Sequence, residues 1–371
     1  MKNVLIIYLI LICTSISLIS AHSLSIVLKI SLVKIKYKEK IYSPSENAAT
    51  YSNLVITSRN RKNHVIIESL NYKSASARNL EFAIIKLFDE NNTLIGISDT
   101  LDLYDKKVTL LGDDKTVLII FPAGTYQEVV INILKVNEGK LSTYKIIKRK
   151  SSDFMIDVSS DGLGFVCGYS AFEGVSDTPE IIYYNNIGSI IWTKKVEEPR
   201  LFTVTISNHY VIATTKNSQI KRGFVYLYDI QGNKFLKDNI GSDIGNYEIE
   251  FSDESSGKYF ATSTINEICL FNLETMTKIK NISLSSDKQI TSFKIDDNGT
   301  VYITILKKFY SQTNNKYVLK NKELIVEDIS NNIQTKELEN EGIPSIIKSD
   351  NTFILKMKIS DTQSEYYEIL L

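Results

Sequence analysis

From Leu54 to Leu371 the chain is a succession of short apolar runs separated by clusters of Ser, Asp, Asn and Gly. Many of the runs alternate apolar with polar residues. Alternation with period two sets one face of an extended segment against a core, so such runs bounded by turn formers predict β-strands. The first set is Leu54-Val55-Ile56, His64-Val65-Ile66-Ile67, Phe82-Ala83-Ile84-Ile85 and Leu94-Ile95, four strands in all.

Beyond this set a pattern repeats: an apolar residue, a polar turn, then a second apolar run. The leading positions are Leu111, Val158, Ile206, Phe251, Ile295 and Ile347, spaced by 47, 48, 45, 44 and 52 residues. A second marker runs in phase with the first: an alternating run ending in Asp or Asn, a few turn residues, and another run. Asp89, Asn137, Asn185, Asp229, Asn272 and Asp328 carry it, spaced by 48, 48, 44, 43 and 56. Two turns per period, each flanked by strands, describe a four-stranded meander. The period is close to the length of a four-stranded propeller blade. The first marker then joins a blade's inner strands, and the second joins its outer strands, where Asp, Asn and Gly tolerate the backbone angles of a hairpin.

Particular units carry a family resemblance. Phe251-Ser252-Asp253, Gly257-Lys258-Tyr259-Phe260-Ala261-Thr262-Ser263 and Ile268-Cys269-Leu270-Phe271-Asn272-Leu273-Glu274-Thr275 together resemble a WD-type propeller repeat, and Val225-Tyr226-Leu227-Tyr228-Asp229-Ile230-Gln231-Gly232-Asn233 is similar. Ile181-Ile182-Tyr183-Tyr184-Asn185 followed by Gly188-Ser189-Ile190-Ile191-Trp192 resembles the pyrroloquinoline-quinone-type repeat, in which a Trp closes the fourth strand. The resemblance spans residues 108 to 340 and implies an all-β propeller. The strands of residues 55–97 make a first blade. The last copy runs out after Tyr366-Tyr367-Glu368-Ile369-Leu370-Leu371 without a fourth strand. The segment from Ser23 to Lys36, apolar at Leu24, Ile26, Leu28, Ile30 and Leu32, is expected to supply it and to remove an exposed sheet edge. Seven blades follow; six is the alternative if residues 23–97 form something else.

The N-terminus has a different pattern. Lys2 precedes an uncharged apolar run from Val4 to Leu18 that closes on Ile19-Ser20-Ala21-His22, which reads as a secretory signal peptide over residues 1–22. An uncleaved anchor is the alternative, since about 18 apolar residues approach the length of a membrane span. Cys13 is not expected to be lipidated, because Ile12 stands where a small residue is needed. The remainder, 23–371, reads as one domain in a secreted, periplasmic or cell-surface protein.

Composition adds little to this reading. The 371 residues are 43% hydrophobic, enough for a large core, and 43 basic residues balance 43 acidic ones. Balanced charge gives no reason to expect nucleic acid as a partner, and membrane contact is expected only if the leader is retained. A monomer is expected.

No catalytic, cofactor-binding or metal constellation emerges. Cys167 and Cys269 lie within apolar runs as small buried hydrophobes, in units too far apart for a disulfide. Asp296-Asp297-Asn298-Gly299 lacks the ligand spacing of a calcium loop and reads as a turn. His64 and His209 have no metal-ligand spacing, and Gly162-Leu163-Gly164 is not a phosphate loop. Asn91, Asn281 and Asn298 open N-glycosylation acceptor triplets, and Asn91 and Asn298 fall in expected turns. The preferred function is a non-enzymatic scaffold that binds a protein, peptide or glycan at the propeller face, with no cofactor. The alternative is a lyase, glycosidase or dehydrogenase whose residues converge at the channel mouth; the single Trp and the lack of vicinal cysteines count against a quinone enzyme.

A chain lacking residues 1–22 is expected to stay inside the producing cell. Its appearance in the medium or periplasm, measured by fractionation, would remove the basis for export.

Overall fold

The computed structural model describes residues 30–35 and, with short interruptions, 52–371; the leader, Cys13 and residues 23–29 lie outside the described residues. Every regular element among the described residues is a β-strand. Blade 1 holds Ser52–Thr57, His64–Asn71, Glu81–Phe88 and Leu94–Ser98, matching the four runs expected there. Blade 2 holds Lys107–Leu110, Thr116–Ala123, Glu128–Asn137 and Lys140–Lys150, and blade 3 holds Asp153–Val158, Gly164–Ser170, Glu180–Asn185 and Ile190–Lys195. Blade 4 follows with Arg200–Ile206, Tyr210–Asn217, Arg222–Asp229 and Lys234–Ser242, then blade 5 with Glu248–Phe251, Tyr259–Ser263, Glu267–Asn272 and Thr277–Ser283. Blade 6 holds Lys288–Ile295, Val301–Ser311, Lys316–Glu327 and Ile333–Leu338. Blade 7 has three strands from the C-terminus, Ile343–Ser349, Thr352–Lys358 and Ser364–Leu370, and its fourth is Ser31–Ile35 from the N-terminus.

That closing strand runs antiparallel to the last, pairing Ser31 with Leu370 and Ile35 with Tyr366. Lys34 adds a 2.6 Å ion pair to Glu365, and buried Ile30 joins Ile346, Phe353, Leu355 and Ile369 in one apolar cluster. The seven four-stranded units form six sheets, because blades 1 and 2 fuse: Leu94–Ser98 meets Lys140–Lys150 in a short parallel bridge, Ile97 to Lys140 and Ser98 to Leu141. The arrangement is a seven-bladed β-propeller.

Six apolar clusters link each blade to the next, from blades 1 and 2 through to blades 6 and 7. Five of the leading positions, Leu111, Val158, Ile206, Phe251 and Ile295, are buried in them. The sixth differs: Ile346 is buried and Ile347 is only half-buried. Blade 6 ends its inner hairpin at the Ile295–Val301 pair, whereas blade 7 carries pairing on to Ser349 and Thr352. A shift of one residue in a strand exchanges its faces.

The second marker has a direct physical cause. Asp89 Oδ1 accepts from the backbone N–H of Asn91 and Thr93, Asn185 Oδ1 from Ile187 and Ser189, Asn272 Oδ1 from Glu274 and Thr275, and Asp328 Oδ1 from Ser330 and Asn332. Asp229 does the same for Asn233. Each of these turns then places one residue at positive φ: Asn92, Gly188, Gly232, Met276 and Asn331. A carboxylate or amide oxygen that holds the turn's amides, followed by a left-handed residue, is a three- to five-residue hairpin loop with a bulge. Asn137 alone uses a tighter turn, with Glu138 and Gly139 both at positive φ.

Outer strands are fastened by a device invisible in the repeat pattern. A side chain from the fourth strand of one blade donates to a carbonyl at or near the outer hairpin of the next: Lys145 to Gly188 O at 2.7 Å, Trp192 Nε1 to Ile230 O at 3.0 Å and Lys280 to Asp328 O at 2.8 Å. Lys336 reaches Ile30 O at 3.3 Å beside the closing strand. The lone Trp thus does in blade 3 what lysines do elsewhere.

Deleting Ser31–Ile35 from the mature chain should expose the edge of Ser364–Leu370, lower the melting temperature and promote aggregation. Unchanged melting and solubility by calorimetry and light scattering would show that the closing strand contributes nothing.

Candidate functional site at the channel mouth

The first strand of each blade faces the axis, and residues just before the leading apolar positions meet across blades. Thr205 Oγ1 donates to Asp157 Oδ2 at 2.5 Å, and the Ile206 amide donates to the same oxygen at 2.9 Å, tying blade 4 to blade 3. Lys294 of blade 6 pairs with Glu250 of blade 5 at 2.5 Å. Lys348 of blade 7 donates to Ser252 O of blade 5. Alternation explains Asp157, Thr205, Glu250 and Lys294: if Val158, Ile206, Phe251 and Ile295 pack between blades, the preceding residue turns the other way.

At the end of the strands away from the inner hairpins, a cavity of about 520 Å³ opens between blades 5, 6 and 7. Glu248, Gln289 and Ile343 enter it from the starts of three first strands. Ser263, Thr264 and Ile265 enter from the end of a second strand and the turn after it, and Ile290, Thr291 and Leu306 complete the lining. Thr291 owes its position to a bulge: the register of blade 6 slips between Ile290 and Ser292. A bulge re-aims a side chain that regular pleating would send elsewhere. Thr291 Oγ1 lies 2.9 Å from both Thr304 Oγ1 and Pro344 O, so it also ties blade 6 to blade 7. The Ile290 amide donates to Ile265 O at 2.8 Å and fixes the wall between blades 5 and 6.

Glu248 is the one carboxylate among the described residues of the lining. Lost hydration in the concave mouth pushes its carboxyl above the ordinary value near 4.5, Glu250 adds to that, and Lys294 opposes it. Glu250, two residues further along the same strand, is held by Lys294. Among the described residues, no group of three or more His, Cys, Asp or Glu stands together as a metal site.

The other candidates lie away from this mouth. Cys167 and Cys269 are free and buried, and burial pushes both thiols up to about 12, which suppresses the thiolate. His64 is buried in blade 1, stacked on Phe88 at 5.1 Å, and desolvation lowers its pKa. His209 is exposed in the inner hairpin of blade 4, at the opposite end. Asp296 Oδ1 caps its own turn through the amides of Asn298 and Thr300, with Gly299 at φ +80°. Gly162, at φ +74°, packs so closely on Asp113 of blade 2 that an added Cβ would lie 2.2 Å from its nitrogen. Asn91 and Asn298 are exposed in turns, whereas Asn281 is exposed within the outer strand of blade 5, its Oδ1 3.6 Å from Cys269 Sγ.

The sequence pattern did not single out Glu248, Gln289 or Thr291, nor a buried polar cluster between blades 3 and 4. There Glu198 is buried, paired with Lys237 at 2.8 Å, and accepts from Tyr226 OH and, at 3.2 Å, Thr215 Oγ1. Burial alone would lower the Lys237 pKa, but its hydrogen bonds to Glu197, Glu198 and Tyr226 outweigh it and raise the value. This cluster pins the segment that connects blades 3 and 4 onto blade 4.

No protein-family model matches the chain, and no curated protein does. Solved structures share its architecture. The Dos1 propeller superposes with a TM-score of 0.52 at 11% identity, covering 91% of this chain and 95% of that one. The propeller domain of the Trilobed protease from Pyrococcus furiosus, described as having an open velcro topology, gives 0.49 at 10% identity over 86% of this chain and 93% of that one. Prolyl oligopeptidase B from Galerina marginata gives 0.48 at 11% identity, over 83% of this chain and 47% of that one. The likeness to the Dos1 propeller shows a common fold.

A carboxyl raised in the folded state binds its proton more tightly there than in the unfolded chain, so stability falls as pH rises from the ordinary value through the raised one. Glu248→Gln should therefore melt above wild type at about pH 7 and match it at about pH 3, where the carboxyl is protonated in both states. Equal melting curves at both pH values would refute this environment for Glu248.

Proposed function

We propose that this β-propeller is an exported binding scaffold whose mouth between blades 5, 6 and 7 takes a peptide segment bearing a basic side chain or a free amino terminus. The observation that carries the reading is the composition of the cavity. Gln289, Ser263, Thr264 and Thr291 offer neutral hydrogen-bonding groups, Ile265, Ile290, Leu306 and Ile343 offer aliphatic surface, and Glu248 offers one negative charge. Backbone amides, aliphatic side chains and one cation are the complement of that set. A sugar ring finds no aromatic platform among the described residues of the lining. The cavity is of the size of a small-ligand site, so it would seat a few residues of a longer segment.

Acid–base chemistry needs two groups held at different protonation states around a reacting bond. Here the second carboxylate, Glu250, is neutralised by Lys294, which favours binding over catalysis. Export rests on the apolar run from Val4 to Leu18 after Lys2.

The mature chain should retain lysine- or arginine-containing members of a peptide array and few members of a glycan array. Glu248→Gln should weaken the retained peptides several-fold, the scale of one exposed charge pair, with little effect on neutral ones. Glycan binding abolished by Ile343→Arg, or turnover of a chromogenic glycoside lost in Glu248→Gln, would overturn the peptide reading.

A further inference from the structure

We infer that the overhanging outer edge of blade 2 docks an acidic, extended segment of another polypeptide, which adds to the sheet as a further strand. The inference concerns a different surface from the mouth and does not depend on it. The outer strand Lys140–Lys150 has eleven residues, whereas those of the other blades have five to nine. On its outer side only Lys140 and Leu141 are paired, with Ile97 and Ser98 of blade 1. Among the described residues, positions 142–150 meet no further strand on that side. An unpaired row of N–H and C=O groups is a template for strand addition.

The orientation of the strand is set by what its inner side touches. Lys145 reaches Gly188 of blade 3, Ile147 packs on the core between blades 2 and 3, and Arg149 hydrogen-bonds Tyr184. Alternation then sends Ile146, Lys148 and Lys150 to the opposite face, while Tyr144 is the extra residue of a bulge where the register slips between Thr143 and Lys145. Tyr144 is 55% and Ile146 53% exposed.

Charge identifies the occupant. Residues 140–150 contain Lys140, Lys145, Lys148, Arg149 and Lys150 and no acidic residue, in a chain whose total charge is zero. Lys135 on the neighbouring strand lies 5.0 Å from the Tyr144 ring centroid, and Lys148 and Lys150 have no ion-pair partner among the described residues. Lysines on an edge discourage pairing with another copy of the same strand. The same charges attract an acidic strand, so the edge rejects its own copy and accepts a partner of opposite charge. A merely protected edge has no need of eleven residues or of exposed Tyr and Ile. In the docked strand, acidic side chains face Lys148 and Lys150 while an apolar one covers Ile146.

The test uses the mature full chain and a fluorescent Glu–Val peptide of the length of the free edge, with Val at the position opposite Ile146 and Glu at the positions opposite Lys148 and Lys150. Fluorescence anisotropy should show binding that weakens with salt. The double variant Lys148→Glu/Lys150→Glu should bind about ten-fold more weakly with unchanged melting, and hydrogen exchange should show new protection of amides within 142–150. A peptide of the same charge, N-methylated at consecutive residues so that both of its edges lose their donors, keeps the electrostatics but cannot complete the ladder and should fail to bind. Equal binding of the methylated peptide would overturn strand addition. Equal binding of a Lys–Val peptide, or no binding of the Glu–Val peptide, would overturn the acidic partner. So would binding of heparin or phosphatidylserine vesicles that the double variant abolishes while the peptide is ignored.

Discussion

A single four-stranded sheet cannot hide both of its faces, and everything in this structure follows from the need to stack it on a neighbour. Each of the six apolar clusters draws residues from two blades, so a blade is stable only as part of the array. An open array would leave a face and an edge exposed. The chain answers the second problem with Ser31–Ile35, which completes blade 7. The two termini are held in one antiparallel ladder.

Stacking also sorts the polar groups. Side chains that cannot face a neighbouring blade turn to the axis, to the rim or into the outer hairpins. Along the axis they pair across blades, as Asp157 with Thr205 and Glu250 with Lys294. At the rim, long cations span the gap between blades to backbone carbonyls. Where a charge is enclosed, as at Glu198, it is met by an ammonium, a phenol and a hydroxyl, since an unpaired buried carboxylate is prohibitively costly. The mouth is where the pairing is left incomplete: blades 5, 6 and 7 leave a gap there, and Glu248 lies in it with part of its hydration removed.

The two repeating markers were legible because each is a local necessity. Asp89, Asn185, Asp229, Asn272 and Asp328 mark outer hairpins because one side-chain oxygen, acting within four residues, satisfies the turn's amides. The leading apolar residues mark the inner hairpins because the next blade needs a buried side chain there. The slip at Ile347 has the same origin: a mark read by position fails when pairing extends past it, and Ile346 takes the buried place. The cavity was not legible. Glu248, Gln289, Thr291 and Ile343 are more than 90 residues apart at the extremes, and Thr291 reaches the lining only through a bulge.

What the sequence by itself determined is therefore what short-range physics determines: strand periodicity, the Asx-held turns, the four-stranded unit, its repetition six or seven times, and an N-terminal apolar strand available for closure. Tertiary structure alone decided the rest. The fusion of blades 1 and 2, the substitution of Trp192 for a rim lysine, the enclosure of Glu198 and the convergence of three strand starts at the mouth all depend on residues brought together from separate repeats. Their chemistry lies in relative position, which no spacing along the chain encodes.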